Sequence, residues 1–317
     1  MSNPDPTRHR GIFAPVLTPF YDNLEPDIEA FVAHCKLLLA SDVGLAIFGT
    51  NSEASSLSFG EKIELIDALI AAGIDPARIM SGTGSCSLKE TIALTRHSID
   101  AGVTSVLMLP PFFYKNVSED GVFAFYSAVV EAVGDRRLGV YLYHIPALSG
   151  VPVTPTLIER LRKRYPSTIL GVKDSTGDWE NTRTLLTLFG NDGFDVFPAS
   201  EALLLDALAL GGAGCISATA NLNPAVLSAL YRMGPGGAPN ALRDAAFAVR
   251  RAFQQLPMIP AMKAVKALRT GHRGWKNVRP PLTGLSGVNV EPLVSLLEAA
   301  EETTSVPAGA LPASAGR

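Results

Sequence analysis

GLAIF (44–48), EKIELIDALIAAG (61–73), ARIMSG (77–82), LKETIALTRHSIDAG (88–102) and TSVLML (104–109) follow one another along the chain. The three short runs are nearly continuous in apolar residues, the pattern of strands covered on both faces rather than of a half-exposed antiparallel sheet. The two longer runs have helical spacing. Ile63, Ile66, Leu69 and Ile70 share one face, with Gly73 as a stop; Ile92, Leu94 and Ile99 repeat the arrangement before Gly102. Strands alternating with helices call for a parallel sheet.

The same alternation extends in both directions. Further strands are expected at IFAPVLT (12–18), LGVYLY (138–143), TILGVK (168–173), FDVFPA (194–199) and GCISA (214–218). Eight strands, each with its helix, predict an α/β fold of the (β/α)8 barrel type over residues 10–232. A doubly wound sheet is disfavoured, since no GxGxxG follows the first strand. MGPGGAPN (233–240) reads as a breaker-rich link. Helical patterns at 241–256, 260–271 and 290–304 then form a C-terminal helical appendage, so that 233–304 makes a second region. Residues 1–9 and 305–317 are polar or small-residue tails, expected to be mobile.

Composition narrows the function classes. With 27 Lys and Arg against 30 Asp and Glu, the net charge of −3 argues against a dedicated nucleic-acid binder. Apolar residues at 47% and charged ones at 18% supply a large core rather than disorder. Cys35, Cys86 and Cys215 lie far apart and form no CxxC, which fits a reducing compartment. No apolar run approaches the ~18 residues of a membrane span. The N-terminus, MSNPDPTRHR, lacks the apolar segment of a secretory signal. A cytoplasmic location is the expectation.

In a barrel of this type, chemistry collects at the C-terminal ends of the strands. Lys173 stands out there, ending the apolar run Ile169-Leu170-Gly171-Val172, where a lysine gains nothing from burial. Desolvation disfavours an ammonium and favours the free amine that imine chemistry requires. The plainer alternative is a strand-end lysine paired with Asp174 or reaching out of the mouth. The remaining lysines, among them Lys263 and Lys266, fall in helical or loop stretches where solvent is expected to hold them. Tyr143 ends the neighbouring strand and is either a proton carrier or an ordinary core aromatic. Thr50 and Asn51 either offer a hydroxyl and N–H groups to a carboxylate or simply cap a loop. His144 is expected to face away from the mouth, since successive strand residues alternate. The five histidines are scattered without the spacing of a metal pair. Neither a P-loop ending nor GxSxG is present.

At these residues the chain resembles the superfamily of dihydrodipicolinate synthases and N-acetylneuraminate lyases, Schiff-base class I pyruvate aldolases. Gly49-Thr50-Asn51-Ser52-Glu53 is similar to G-[ST]-[TN]-G-E, and Tyr143-His144-Ile145-Pro146 to Y-x-x-P. Gly171-Val172-Lys173-Asp174 is similar to G-x-K-[DE], and 214–221 to G-x-I-S-x-x-A-N. The resemblance implies that Lys173 forms an imine with pyruvate, that Tyr143 carries the proton and that Thr50 orients it. It further implies that Asn51 and the main chain at Ile216 bind substrate. No metal or organic cofactor is implied. Small-molecule partners are, together with assembly into a dimer or tetramer; nucleic acid and membrane are not.

Three departures bear on substrate. Dihydrodipicolinate synthases usually carry an arginine two residues after the Y-x-x-P proline, and Leu148 stands there. Ser52 replaces a glycine, as does Ala199 after the seventh strand. The family's second tyrosine, given to a neighbouring subunit, falls at Phe113 or Tyr114 according to which flank is counted from. The leading expectation is a lyase that splits a 2-oxo acid of the 2-keto-3-deoxy sugar acid type into pyruvate and an aldehyde. The alternatives are dihydrodipicolinate synthase itself, condensing pyruvate with aspartate semialdehyde, and a non-catalytic 2-oxo-acid binder.

Overall fold

The structure, a computed structural model, describes residues 8–304. Along the chain run β1 (Gly11–Pro15), α1 (Ile28–Ala40), β2 (Gly44–Ile47), α2 (Phe59–Ala71), β3 (Ile79–Gly82), α3 (Leu88–Asp100), β4 (Ser105–Met108) and α4 (Glu119–Val133). Then come β5 (Gly139–His144), a single turn α5 (Pro146–Ser149), α6 (Pro155–Arg164), β6 (Ile169–Asp174), α7 (Trp179–Phe189), β7 (Asp195–Pro198), α8 (Leu204–Ala209) and β8 (Gly214–Ile216). Four helices follow: α9 (Pro224–Gly237), α10 (Asn240–Gln254), α11 (Met258–Thr270) and α12 (Glu291–Glu302). The strands pair in parallel in the order β7-β6-β5-β4-β3-β2-β1-β8. The ring closes where the Ala213 N–H, just before β8, donates to the Val196 carbonyl of β7 at 3.0 Å. This is a (β/α)8 barrel with C-terminal helices.

Local chemistry explains the boundaries. Ser58 caps α2 and Glu61 reaches back to the Ser58 N–H, a reciprocal box that starts the helix two residues before the apolar run. Asp27, Ser87, Ser118, Thr154 and Asp178 each accept from a first-turn N–H in the same way. Along β5 and β6 the alternation of side chains fixes the site. Tyr143 is the register partner of Lys173, and His144 that of Asp174. The first pair therefore faces one side of the barrel wall and the second pair the other. The register shifts beside Tyr141, where Gly171 sits so close to β7 that a Cβ there would lie 2.3 Å from the Asp195 carbonyl oxygen.

Phe13, Met80, Leu107, Tyr141, Phe197 and Ile216 form one buried cluster, with Tyr143 above them. Larger clusters join the strands to the surrounding helices. Several expected strands end sooner than their apolar runs: β1 stops at Pro15 rather than 18, and β8 at Ile216 rather than 218. The link expected over 233–240 is partly helical, with α9 continuing to Gly237 across a kink at Gly234, where φ is 68°. At the other end, His9 is buried and its N–H donates to the Tyr141 hydroxyl at 3.0 Å. Arg8 pairs with Asp195 at 3.2 Å. The last two residues of the expected 1–9 tail are thus packed against the barrel. Residues 1–7 and the expected tail at 305–317 lie outside the described residues.

Candidate active site

Lys173 is buried at the end of β6, its Nζ 4.2 Å from the centre of the Tyr143 ring. Asp174 does not serve it as the plainer reading required. That carboxylate accepts from the Thr176 N–H and hydroxyl, at 3.0 and 2.8 Å, and from Thr182 Oγ1 at 2.6 Å. His144, on the same side as Asp174, accepts the Val153 N–H at Nδ1, as the alternation predicts for a residue turned away from the mouth.

The Thr50 and Tyr143 hydroxyls are 3.1 Å apart. Burial alone would push the Tyr143 phenol up in pKa. The Lys173 charge and hydrogen bonds with Thr50, Lys173 and Ser175 outweigh it and hold the phenol below its ordinary value. Thr50 reaches that position because the chain leaves β2 into a tight turn, Thr50–Ser52, that ends at Glu53 with φ 55°. Ser52, where the resemblance has glycine, is buried and donates its hydroxyl to the Val16 carbonyl; Thr18 donates to the Ser52 carbonyl at 2.8 Å. The replaced glycine has become a clamp between the ends of β1 and β2.

Thr50, Asn51, Tyr143, Lys173 and Ile216 line a single cavity of about 450 Å³ with Ser175, Ala199 and Arg250. Two other expected site residues lie elsewhere. Leu148, on α5, is 63% exposed and lines an adjoining cavity that shares Thr50, Tyr143 and Ile145 with the first. Tyr114 is 74% exposed and Phe113 72%, their rings edge to face at 5.3 Å in the loop after β4, away from the cavity wall. Lys115 secures that loop by donating to the Ser149 carbonyl at 2.8 Å.

Two expectations about basic residues need correcting. Lys263 and Lys266 are buried in α11 rather than solvated. Lys263 pairs with Glu53 at 2.6 Å, and the other Glu53 oxygen accepts the Arg279 N–H at 2.8 Å. Arg250 and Glu201 were not among the residues expected at the site. The signal for Arg250 was present: it falls four residues after Ala246 on the stripe of α10 that buries Leu242, Ala246, Val249 and Phe253.

Residues 8–300 match the profile of the dihydrodipicolinate synthetase family. An uncharacterized DapA-like lyase of Chloroflexus aurantiacus is 34% identical over 293 residues, covering 91% of this chain and 96% of that protein. The crystal structure of dihydrodipicolinate synthase from Agrobacterium tumefaciens superposes with a TM-score of 0.82 at 31% identity, over 92% of this chain and 98% of that one. YagE, an E. coli prophage protein of the same family solved in complex with pyruvate, gives 0.82 at 26% identity, over 92% and 98%.

Proposed function

The chain belongs to the dihydrodipicolinate synthetase family of carbon–carbon lyases, and we propose that it works through a pyruvate imine on Lys173. In this reading the enzyme reversibly cleaves a 2-oxo acid of the 2-keto-3-deoxy sugar acid type to pyruvate and an aldehyde. The observation that carries it is the convergence of a buried lysine, a phenol in register with it and a threonine hydroxyl on that phenol, all on one cavity. The pyruvate found in YagE supports the choice of 2-oxo acid.

The amine of Lys173 attacks the keto carbon, and water leaves as the imine forms. In cleavage, the hydroxyl at C4 gives up its proton, the C3–C4 bond breaks and its electron pair is taken up by the protonated imine as an enamine. The aldehyde departs, C3 is protonated and water releases pyruvate. Tyr143 carries the proton, with Thr50 orienting its hydroxyl. Main-chain groups at Thr50 and Asn51 take the pyruvate carboxylate, and the main chain at Ile216 faces the substrate. Condensation with aspartate semialdehyde is disfavoured by Leu148, which offers no cation. The working form is a homo-oligomer, dimer or tetramer, in which the exposed Phe113 and Tyr114 meet a neighbour.

Borohydride reduction in the presence of pyruvate, followed by peptide mass spectrometry, tests the reading. The expected result is a reduced pyruvate adduct on the peptide containing Lys173 and turnover of hydroxylated aldehydes. An unmodified Lys173 would overturn the imine. Efficient use of aspartate semialdehyde in place of the sugar-acid aldehydes would transfer the assignment to the synthase.

A further inference from the structure

We propose that the floor of the barrel carries a second site, which binds a phosphate group, either free or as the monoester of a small alcohol. The site lies at the opposite end of the strands from Lys173 and does not depend on the imine reading. A cavity of about 260 Å³ sits there, where β1 and β2 begin, and Arg8, Arg10 and Arg78 line it. Arg8 and Arg10 lead into β1, and Arg78 immediately precedes β3, so the three guanidiniums come from two remote stretches of chain. Their side chains are 42%, 57% and 39% exposed, which leaves them within reach of a dissolved anion.

The protein's own acceptors engage only part of this donor set. Arg8 and Arg10 share one carboxylate, Asp195, each at 3.2 Å, and Arg8 also donates to the Gly193 carbonyl. Arg78 gives one nitrogen, Nη2, to Asp42 at 3.1 Å. A guanidinium carries several N–H donors in a rigid fork. Most of those on Arg10 and Arg78 therefore meet no acceptor among the described residues. Three guanidiniums against the two carboxylates leave a surplus of one positive charge. His9, in the same wall, adds none: burial, and then the Arg78 charge, pull its imidazole down to a pKa of about 4, neutral at pH 7.

The remaining lining favours a tetrahedral oxyanion. Ser228 and Tyr231 of α9 bring two hydroxyls, neither of which has a hydrogen-bond partner among the described residues. Gly11 holds φ at 105°, and a Cβ there would lie 3.7 Å from the Tyr231 ring, so glycine leaves that space to the cavity. A planar carboxylate is satisfied by one guanidinium edge. Guanidinium and hydroxyl donors set on three elements instead suit an anion that accepts on several oxygens in different directions. A phosphate group does so while carrying about −1.5 to −2 charges at pH 7. Asp42, which also lines the cavity, opposes any anion there.

Titration calorimetry with inorganic phosphate and with glycerol 3-phosphate, at constant ionic strength in a zwitterionic buffer, tests the assignment. Saturable binding is expected with a Kd of about 1 mM or tighter. The tighter of the two ligands tells the free ion from the ester, and either one supports the site. Arg10→Met and Arg78→Met should each weaken binding by about 10-fold or more, as the loss of a charge-assisted bond requires. Asp42→Asn should tighten it, because the substitution removes a negative charge from the wall and frees Arg78. That gain cannot come from a folding defect. Acetate at equal concentration should compete poorly. The proposal falls if neither phosphate compound binds saturably, or if acetate competes as well as phosphate. It falls equally if both arginine variants melt cooperatively and retain the wild-type Kd, or if Asp42→Asn binds no more tightly than the wild type.

Discussion

Lys173 and Lys263 are both buried, and each side-chain nitrogen lies over an aromatic ring, Tyr143 at 4.2 Å in one case and Phe20 at 4.4 Å in the other. Their surroundings part from there. Around Lys263 the protein supplies a counter-charge: Glu53 accepts at 2.6 Å, and its second oxygen holds the Arg279 N–H. Burial pulls the Lys263 ammonium down in pKa, and Glu53 opposes that pull. Around Lys173 the neighbouring carboxylate, Asp174, is spent on Thr176 and Thr182, and the amine borders a cavity. Burial therefore does not by itself separate the lysine proposed as nucleophile from the ion-paired one. What distinguishes them is whether a carboxylate or an empty volume meets the nitrogen.

The sharpest way to break this comparison is to remove each lysine in turn. Lys173→Ala is expected to lower kcat by about 10³-fold or more, since a nucleophile is lost. Its thermal midpoint should stay near that of the wild type. Lys263→Ala should do the reverse. It leaves the Glu53 carboxylate buried with one backbone N–H, and breaking such a pair costs about 3–5 kcal/mol. Urea denaturation measures that loss, while borohydride trapping per folded molecule should persist. If Lys173→Ala unfolded the chain and Lys263→Ala did not, the two roles would have to be exchanged.

Tyr143→Phe probes the partner that Lys263 lacks. Loss of the hydroxyl should slow turnover by about 10²-fold while pyruvate is still trapped on Lys173. The wild-type profile of kcat against pH should also fall on its alkaline side at a lower pH than an ordinary phenol would give. The reason is the Lys173 charge and the hydrogen bonds, which outweigh burial at Tyr143. As pH rises through that lowered value, the phenol loses the proton that the proposed mechanism asks it to deliver. An alkaline limb that survives unchanged in Tyr143→Phe would assign it to another group.

How far the sequence carried these distinctions depended on the range of the contacts. Strand-end residues were legible because period-two alternation and the barrel rule act locally: Tyr143 and Lys173 face together, and His144 turns away. Arg250 was legible only as a residue on the buried stripe of α10, and Lys263 not at all, because the partners of each come from elements remote in sequence. Lys263 finds Glu53 across 210 residues, and Arg250 meets Ala199 across 51. A lysine on a helix reads as solvated until the partner helix or loop is known. Leu148 was placed by its motif rather than by packing: the one-turn helix after β5 leaves it mostly exposed, lining an adjoining cavity that shares Thr50 and Tyr143 with the first.

Lys266 sharpens the comparison by supplying a third kind of buried lysine, with neither carboxylate nor substrate cavity. One helical turn beyond Lys263, its ammonium lies 5.0 Å from the centre of the Trp275 ring. Burial first, and then the charge of Arg269, pull its pKa to about 8, against a smaller opposing effect of Cys35. In the unfolded chain a lysine titrates near ~10.4. Between these two values the unfolded chain retains a proton that the folded protein has lost, so stability rises with pH across that window. Below pH 8 both states are charged, and the folded protein bears the full cost of burying the ammonium. Lys266→Met retains the length and apolar surface of the stem and removes the charge. It should therefore raise stability at pH 7 by about 1–3 kcal/mol. It should also reduce the rise between pH 8 and 10; what remains combines Lys263, Lys62 and Tyr143, whose pKa values are lowered in the same direction, with the buried Cys35 and Cys215 thiols, whose raised values oppose it. Urea midpoints at pH 7, 8, 9 and 10 for both proteins measure this. A difference between the two proteins that does not change with pH across that range, or a Lys266→Met protein no more stable at pH 7, would show that the Trp275 ring and its surroundings solvate the ammonium as well as water does.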